Sequence, residues 1–178
     1  MKYQEGQPYT PKLIAEARLV ALHIHGNQNY DSIFPYEKHL ADVIAILEEY
    51  NYTGKYIIAG WLHDAVEDGA ISYNKIKNYF GLEVAEIVYA VTDELGRNRK
   101  EKKSKTYPKI KLNPDAIAIK LADRIANIEH GGKIEMYREE YLDFRNGIYV
   151  GGIAEPLWER LEILLKVNAL AILIISQN

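Results

Sequence analysis

The sequence contains no cysteine, and none of its apolar runs is long. The absence of cysteine excludes both a disulfide framework and a zinc site built on thiolates. The first residues lack the apolar stretch of a signal peptide, and the most apolar segment, from Ala169 to Ile175, is too short to span a bilayer. We therefore expect a cytoplasmic protein without a membrane partner.

Neither sign of charge dominates the sequence, which has a formal net charge of −3. That balance argues against non-specific binding of nucleic acid by the chain as a whole, so no stable nucleic-acid partner is expected. A length of 178 residues with 48% hydrophobic residues suits one domain with a sizeable core. Composition leaves the oligomeric state open.

Alternating strand patterns are almost absent, whereas roughly ten segments have apolar residues at helical spacing. We predict a central helix from Tyr56 to Asp68 and a final amphipathic helix from Pro156 to Ile175. Residues 96–105 carry six basic side chains and read as a segment between helices, either a lid that grips phosphates or a solvated, mobile loop. The prediction is an all-α fold, with residues 1–178 forming a single domain.

The stretch from Gly60 to Asp68, GWLHDAVED, places an imidazole and three carboxylates after an apolar run. On a helix, residues four apart share a face, so His63 would lie over Glu67 and Asp64 over Asp68. Such a cluster is costly to bury without a partner, and a divalent metal ion is a suitable one. The alternative is a capped or solvated helix end. We favour the metal site.

Another carboxylate, Asp123, interrupts the apolar run IAIKLA, and two more isoleucines follow it. It needs either an ion pair, for which Arg124 is the neighbouring candidate, or a metal. Asn127 lies one helical turn later and could orient the carboxylate or a substrate. His39 lies near the start of an earlier helix, where a lone histidine is either structural or a ligand.

These residues occur in the order H, HD, D, which resembles the HD-domain metal-dependent phosphohydrolases. The segment LHDAVED, residues 62–68, resembles the LHDxxED signature of the RelA/SpoT-type alarmone hydrolases and their small stand-alone relatives. KLADRIANI, residues 120–128, resembles their KLADRxxNM segment. HGNQ at residues 25–28, followed by PY at 35–36 and by His39, resembles their HxGQ…PYxxHP stretch at equal spacing, and residues 80–92 resemble the helix that follows the metal motif.

The resemblance implies roles for individual residues. The metal ligands would be His39, His63, Asp64 and Asp123, and the ion is usually manganese, although two imidazoles and two carboxylates also suit other divalent metals. Glu67 and Asp68 match the acidic pair that activates the nucleophilic water. Asn127 matches a substrate-contacting asparagine. The implied reaction releases pyrophosphate from the 3′ position of guanosine 3′,5′-bis(diphosphate).

The chain departs from the family where the relatives carry an Arg-Lys-Ser-Gly type stretch. Here the sequence reads Tyr30-Asp31-Ser32-Ile33, so two positive charges are missing. We predict substrate contacts from Tyr30, which is suited to stacking on a base, from Ser32 and from Lys38. Other phosphate contacts would come from Asn29 or from the basic segment 97–105.

Three alternatives to an alarmone hydrolase differ in class. An HD-type nucleotidase or nucleoside triphosphate hydrolase would release a different product from a small nucleotide. A non-catalytic HD module would sense a nucleotide without hydrolysing it, although it would not need the water-activating pair Glu67 and Asp68. A helical interaction protein without metal would require the motif to arise by chance.

Overall fold

The computed structural model describes residues 2–30, 33–67, 69 and 71–167, and the fold and site below are built from these residues. They form ten α-helices and no β-sheet strand, which confirms the predicted all-α class. Asn29 and Pro35 form one isolated β-bridge in the loop after the first helix. The helices are α1 Pro11–His25, α2 Tyr36–Glu49, α3 Lys55–Leu62, α4 Tyr73–Phe80, α5 Leu82–Val91, α6 Arg99–Leu112, α7 Pro114–Glu129, α8 Ile134–Glu139, α9 Tyr141–Ile148 and α10 Glu155–Leu165.

Several helices begin at side chains that suit a helix N-terminus. Thr10, Ser72 and Asn98 each accept a hydrogen bond from the backbone N–H three residues later. Such bonds satisfy one of the N–H groups that lack a partner in the first turn. Pro11 and Pro114 occupy first-turn positions of α1 and α7, where a missing N–H costs nothing.

Helix α7 lies at the centre, with ten buried side chains, and α2, α5 and α10 pack around it. Helix α3 packs against α1, α2 and α5. The α2–α3 approach is close: a Cβ atom at Gly60 would lie 2.7 Å from Ile44 Cδ1 and 2.9 Å from Leu47 Cδ1. This packing fixes the end of α3 beside α2 and α7. No helix in the described part of the chain has both the length and the apolar character needed to cross a membrane.

The predicted central helix ends early, at Leu62, and His63 to Glu67 form consecutive turns. The stacking of His63 over Glu67 on one helix face is therefore wrong. The backbone tightens after the helix, because Ala65 N–H bonds to the Leu62 carbonyl at 3.0 Å, three residues back. The turns redirect the side chains of His63 and Asp64 toward α2 and α7.

The basic segment is not a mobile loop, since residues 99–105 form the first half of α6. The Asn98 cap starts this helix, and opposite charges pair along it. Lys103 Nζ lies 2.6 Å from Asp93 Oδ2, and Glu101 bonds to the side chains of Arg97 and Lys105. Helix formation thus follows from capping and charge pairing, which the count of basic residues alone did not reveal.

The C-terminal helices are short. Residues 134–148 are divided between α8 and α9, which are separated by Glu140. The final helix ends at Leu165, where Lys166 adopts a left-handed conformation and its N–H bonds back to Glu162 and Ile163. The predicted continuation of this helix to Ile175 falls on residues 168–178, which lie outside the described residues.

Candidate metal centre

Three side chains from distant parts of the chain meet between α2, α3 and α7. His39 lies on α2, His63 caps the end of α3, and Asp123 lies on α7. One ligand atom from each lies within 4.8 Å of the others. Asp123 Oδ1 is 3.4 Å from His39 Nε2 and 3.9 Å from His63 Nε2. Both imidazoles are buried, so the cluster lies in the interior of the protein.

Asp64 completes the group of four predicted ligands. Its Oδ2 atom lies 3.1 Å from His63 Nε2 and 4.0 Å from His39 Nε2. The hydroxyl of Tyr36, the first residue of α2, donates to the same carboxylate oxygen and fixes its position. Two imidazoles and two carboxylates therefore converge, which is a donor set that divalent transition metals favour.

The hydrogen bonding of His63 indicates that the cluster fits a cation. Its Nδ1 atom lies 2.7 Å from the Gly60 carbonyl oxygen, an acceptor, so Nδ1 is protonated and Nε2 is the nitrogen available to a metal ion. Nε2 is buried and has no hydrogen-bond partner among the described residues, although carboxylate oxygens surround it. Burial alone would lower the pKa of His63, but Asp64 and Asp123 outweigh it and raise the pKa to about 9. The site thus attracts positive charge.

Asp123 is held by its neighbours on α7. Lys120 Nζ is 2.8 Å from Oδ2, and the Asn127 amide nitrogen donates to Oδ1 at 2.7 Å and to the backbone carbonyl at 2.8 Å. Burial by itself raises the pKa of Asp123, but Lys120 and His39 hold it well below its usual range. The carboxylate therefore remains ionised and ready to bind a cation.

The ion pair between Asp123 and Arg124, which the sequence allowed, does not form. The Arg124 guanidinium lies 3.6 Å from the centre of the Phe144 ring, and its Nη2 atom is 3.5 Å from a Glu140 oxygen. Consecutive residues on a helix point about 100° apart, so Arg124 faces α9 while Asp123 faces α2. Lys120, three residues before Asp123, supplies the positive charge instead.

Tyr30 and Asn127 form one wall of the cluster. The Tyr30 ring stacks on His39 with centroids 4.7 Å apart and planes at 16°, and its hydroxyl donates to Asn127 Oδ1 at 2.8 Å. Lys38 instead pairs with Asp42 and lines a neighbouring pocket of about 530 Å³. Ser32, predicted as a substrate contact, lies outside the described residues.

Of the two predicted water-activating residues, only Glu67 lies among the described residues. Glu67 is exposed to solvent in the turns after α3. Its pKa is raised by partial burial and by the nearby carboxylates of Asp93 and Asp64, which disfavour its negative form. Asp68 lies outside the described residues.

Sequence reasoning assigned no role to Tyr36, Lys120 or Asp93. Lys120 had a usable signal, because a residue three before Asp123 on a helix lies on the same face. Tyr36 had none, since its contact with Asp64 depends on how α2 packs against the turns after α3. Asp93 follows α5 and pairs with Lys103 of α6, an arrangement that only the packing of those helices brings about.

Comparisons with known proteins agree with this geometry. A family model described as an HD domain matches residues 17–142. The bifunctional (p)ppGpp synthase/hydrolase SpoT of Escherichia coli is 34% identical over 139 residues, which is 72% of this chain and 20% of the relative. The guanosine-3′,5′-bis(diphosphate) 3′-pyrophosphohydrolase of Aquifex aeolicus is 35% identical over 121 residues, 65% of this chain and 17% of the relative. The chain thus spans about a fifth of the length of these curated relatives.

Solved structures show the same fold. A metazoan ortholog of SpoT, described as hydrolysing ppGpp, superposes with a TM-score of 0.72 at 24% identity, covering 92% of this chain and 99% of that chain. A crystal structure from Listeria monocytogenes superposes with a TM-score of 0.58 at 22% identity, covering 74% of this chain and 96% of that chain. With the matched family model and the four converging side chains, these findings give the assignment: the chain belongs to the HD domain family and resembles its SpoT-like members.

Proposed function

We propose that this protein is a metal-dependent phosphohydrolase of a small nucleotide, and that its substrate is guanosine 3′,5′-bis(diphosphate), from which it releases the 3′-pyrophosphate. The observation that carries the proposal is the convergence of His39, His63, Asp64 and Asp123 around the buried Nε2 atom of His63. Relatives about 34% identical carry the name of this activity, which supports the choice of substrate.

We propose Mn²⁺ as the ion, held by these four side chains. Carboxylate ligands suit Mn²⁺, while imidazoles are shared with Fe²⁺, Co²⁺ and Zn²⁺, so the donor set admits those metals as competitors. A bound divalent ion supplies a positive charge that polarises a phosphoryl oxygen and makes a nearby water more acidic. Lys120 and Tyr36 keep the two carboxylates ionised and fixed in position.

Glu67 is the proposed general base, with Asp68 as the second member of the acidic pair. A base works best when its pKa is closer to the working pH than that of an ordinary carboxylate. Partial burial, together with the nearby Asp93 and Asp64 carboxylates, shifts the pKa of Glu67 in that direction. Glu67 would accept a proton from the attacking water and release it to solvent, to which its side chain is exposed.

The proposed partner is the nucleotide itself, with no stable nucleic-acid or membrane partner. Its predicted contacts are Tyr30, Ser32, Lys38 and Asn127, of which Tyr30 and Asn127 already line the metal centre. Phosphate charge would be met in part by the basic segment 97–105, most of which forms the start of α6.

The test is a turnover assay on a nucleotide panel that includes guanosine 3′,5′-bis(diphosphate), with Mn²⁺ supplied and products separated by anion-exchange chromatography. We expect pyrophosphate and guanosine 5′-diphosphate from the alarmone, and no products when a chelator removes the metal. Intact alarmone after long incubation with saturating Mn²⁺ would reject the proposed substrate.

One observation favours a second candidate, an HD-type hydrolase of another nucleotide. Tyr30 and Asp31 stand where the alarmone hydrolases carry two cations. This chain therefore lacks two positive charges that would attract an anionic bis(diphosphate). The same panel separates the two candidates, because a nucleotidase would release phosphate and a triphosphate hydrolase would release triphosphate.

A further inference from the structure

The two metal-site histidines are held by different means. The Nδ1 atom of His63, the ring nitrogen that faces away from the cluster, donates to the Gly60 carbonyl, and this bond fixes the plane of the ring. The corresponding Nδ1 atom of His39 is buried and has no hydrogen-bond partner among the described residues. Metal-binding imidazoles usually gain their orientation from a bond at this atom. Packing must therefore set the plane of His39.

The ring of Tyr30 provides that packing. It lies almost parallel to the His39 imidazole, at 4.7 Å between centroids and 16° between planes. The other rings near His39, those of Tyr36 and His63, meet it edge-on at 5.6 and 5.5 Å. An edge contact leaves the imidazole free to tilt, whereas a parallel ring restricts it, so Tyr30 is the contact that defines the plane.

The hydroxyl of Tyr30 acts on the third ligand through Asn127. It donates to Asn127 Oδ1 at 2.8 Å, so the amide nitrogen is turned toward Asp123 and donates to Oδ1 at 2.7 Å. In the flipped orientation the amide oxygen would face the carboxylate, and two acceptors would repel each other. Asp123 Oδ1 is the oxygen that lies 3.4 Å from His39 Nε2.

The geometry points to Tyr30 as a positioning residue of the metal centre: its ring holds the plane of His39, and its hydroxyl, acting through Asn127, holds Asp123 Oδ1 toward the same ion. The inference rests on the metal binding in the proposed function and goes beyond the predicted contact with a nucleotide.

The experiment titrates metal-free protein with Mn²⁺ in the absence of any nucleotide, following free Mn²⁺ by electron paramagnetic resonance. Tyr30→Phe keeps the ring and removes the hydroxyl, and we expect its Kd to rise about 10-fold, as for other residues that orient metal ligands. Tyr30→Leu also removes the stacked ring, and we expect a rise nearer 100-fold. The absorption spectrum of the Co²⁺-loaded protein should change in both variants.

Tyr73→Phe is the matched control, because its hydroxyl bonds to Glu86 at the surface and not to the metal centre. Its Kd for Mn²⁺ should equal that of the unaltered protein. Circular dichroism verifies that each variant is folded, and Tyr30→Phe decides the question if Tyr30→Leu is not. A wild-type Kd and Co²⁺ spectrum in folded Tyr30→Phe would overturn the inference.

A double-mutant cycle tests the path through Asn127. If the Tyr30 hydroxyl acts on Asp123 through that amide, Tyr30→Phe should weaken Mn²⁺ binding little further in an Asn127→Ala background. Full additivity of the two effects would overturn the relay. Because no nucleotide is present, the outcome is independent of turnover: Mn²⁺ binding without alarmone hydrolysis would reject the proposed substrate and leave the role of Tyr30 standing.

Discussion

His39 and His63 present their Nε2 atoms to the same two carboxylates, yet only His63 gains its orientation from the backbone. The carboxylates also differ, since Tyr36 bonds to Asp64 while Lys120 and Asn127 bond to Asp123. At the scale of single residues, each predicted ligand therefore has its own support. Substitutions at the centre should separate metal binding from the chemical step.

Replacing Asp64 with alanine should weaken metal binding and reduce turnover together. The substitution removes one of two carboxylates and leaves His63 Nε2 without the oxygen 3.1 Å away. We expect the Kd for Mn²⁺ to rise by about 100-fold or more, beyond the 10- to 100-fold range seen for residues that only support a ligand. Metal content and turnover are measured on the same preparation. Asp143→Ala, an exposed aspartate on α9, should retain both. Full metal content in Asp64→Ala would contradict the ligand assignment.

Replacing Glu67 with glutamine should reduce turnover without changing metal binding. The amide cannot accept a proton from water, so turnover should fall by about 100- to 10,000-fold, the usual contribution of a general base. Mn²⁺ binding should not change, because Glu67 is not among the converging ligands. Glu159→Gln, an exposed glutamate on α10, serves as the control. Unaltered turnover in Glu67→Gln would remove this residue from the mechanism.

At the scale of elements, charges at helix ends hold α3, α5 and α7 in the arrangement that the site requires. Lys55, the first residue of α3, lies 2.6 Å from Asp115 in the first turn of α7 and 3.0 Å from Glu83 in the first turn of α5. Tyr56 donates to the same aspartate. The three helices that carry or support the ligands are thus joined at the ends away from Asp123.

Asp115→Asn should weaken this junction in a pH-dependent way. Burial raises the pKa of Asp115, but Lys55 and Tyr56 outweigh it and lower the pKa below its ordinary value. A depressed carboxyl pKa stabilises the fold above the unfolded-state pKa and loses its effect as pH falls through the folded-state value. We therefore expect Asp115→Asn to reduce the free energy of unfolding by about 1 kcal/mol near pH 7, allowing for solvent screening.

Urea denaturation followed by circular dichroism provides the measurement. The difference in unfolding free energy between the unaltered protein and Asp115→Asn should stay constant down to about pH 5 and shrink as the pH falls through the ordinary aspartate pKa toward the lower folded-state pKa of Asp115. The exposed Asp143→Asn variant should show almost no difference at any pH. A difference for Asp115→Asn that persists unchanged to low pH would indicate that the lost charge is not its cause.

At the scale of the whole molecule, the ligands lie on segments far apart in sequence that meet only in the folded state. A bound ion would join three segments, namely α2, the turns after α3, and α7. Its ligands there would be His39, His63 with Asp64, and Asp123. The unfolded chain offers no such cluster, so binding energy becomes folding energy.

Saturating Mn²⁺ should therefore raise the melting temperature. At a free metal concentration of roughly 100 times Kd, linkage predicts about 2.7 kcal/mol of added stability, which corresponds to an increase of roughly 5–10 °C for a chain of this size. Differential scanning calorimetry with and without a chelator measures the shift. The increase should vanish in Asp64→Ala, and an equal increase in that variant would place the stabilising metal elsewhere.

The sequence by itself determined the all-α class and the four candidate ligands, because helical periodicity and motifs in a fixed order can be read without the tertiary structure. It failed at residues 63–67 and 99–105, where the end of α3 and the start of α6 depend on packing. Only the tertiary structure decided that Tyr36 bonds to Asp64 and that Tyr30 stacks on His39. Those contacts join residues whose side chains meet through helix packing, and the direction of a side chain in space is not encoded in its local sequence pattern.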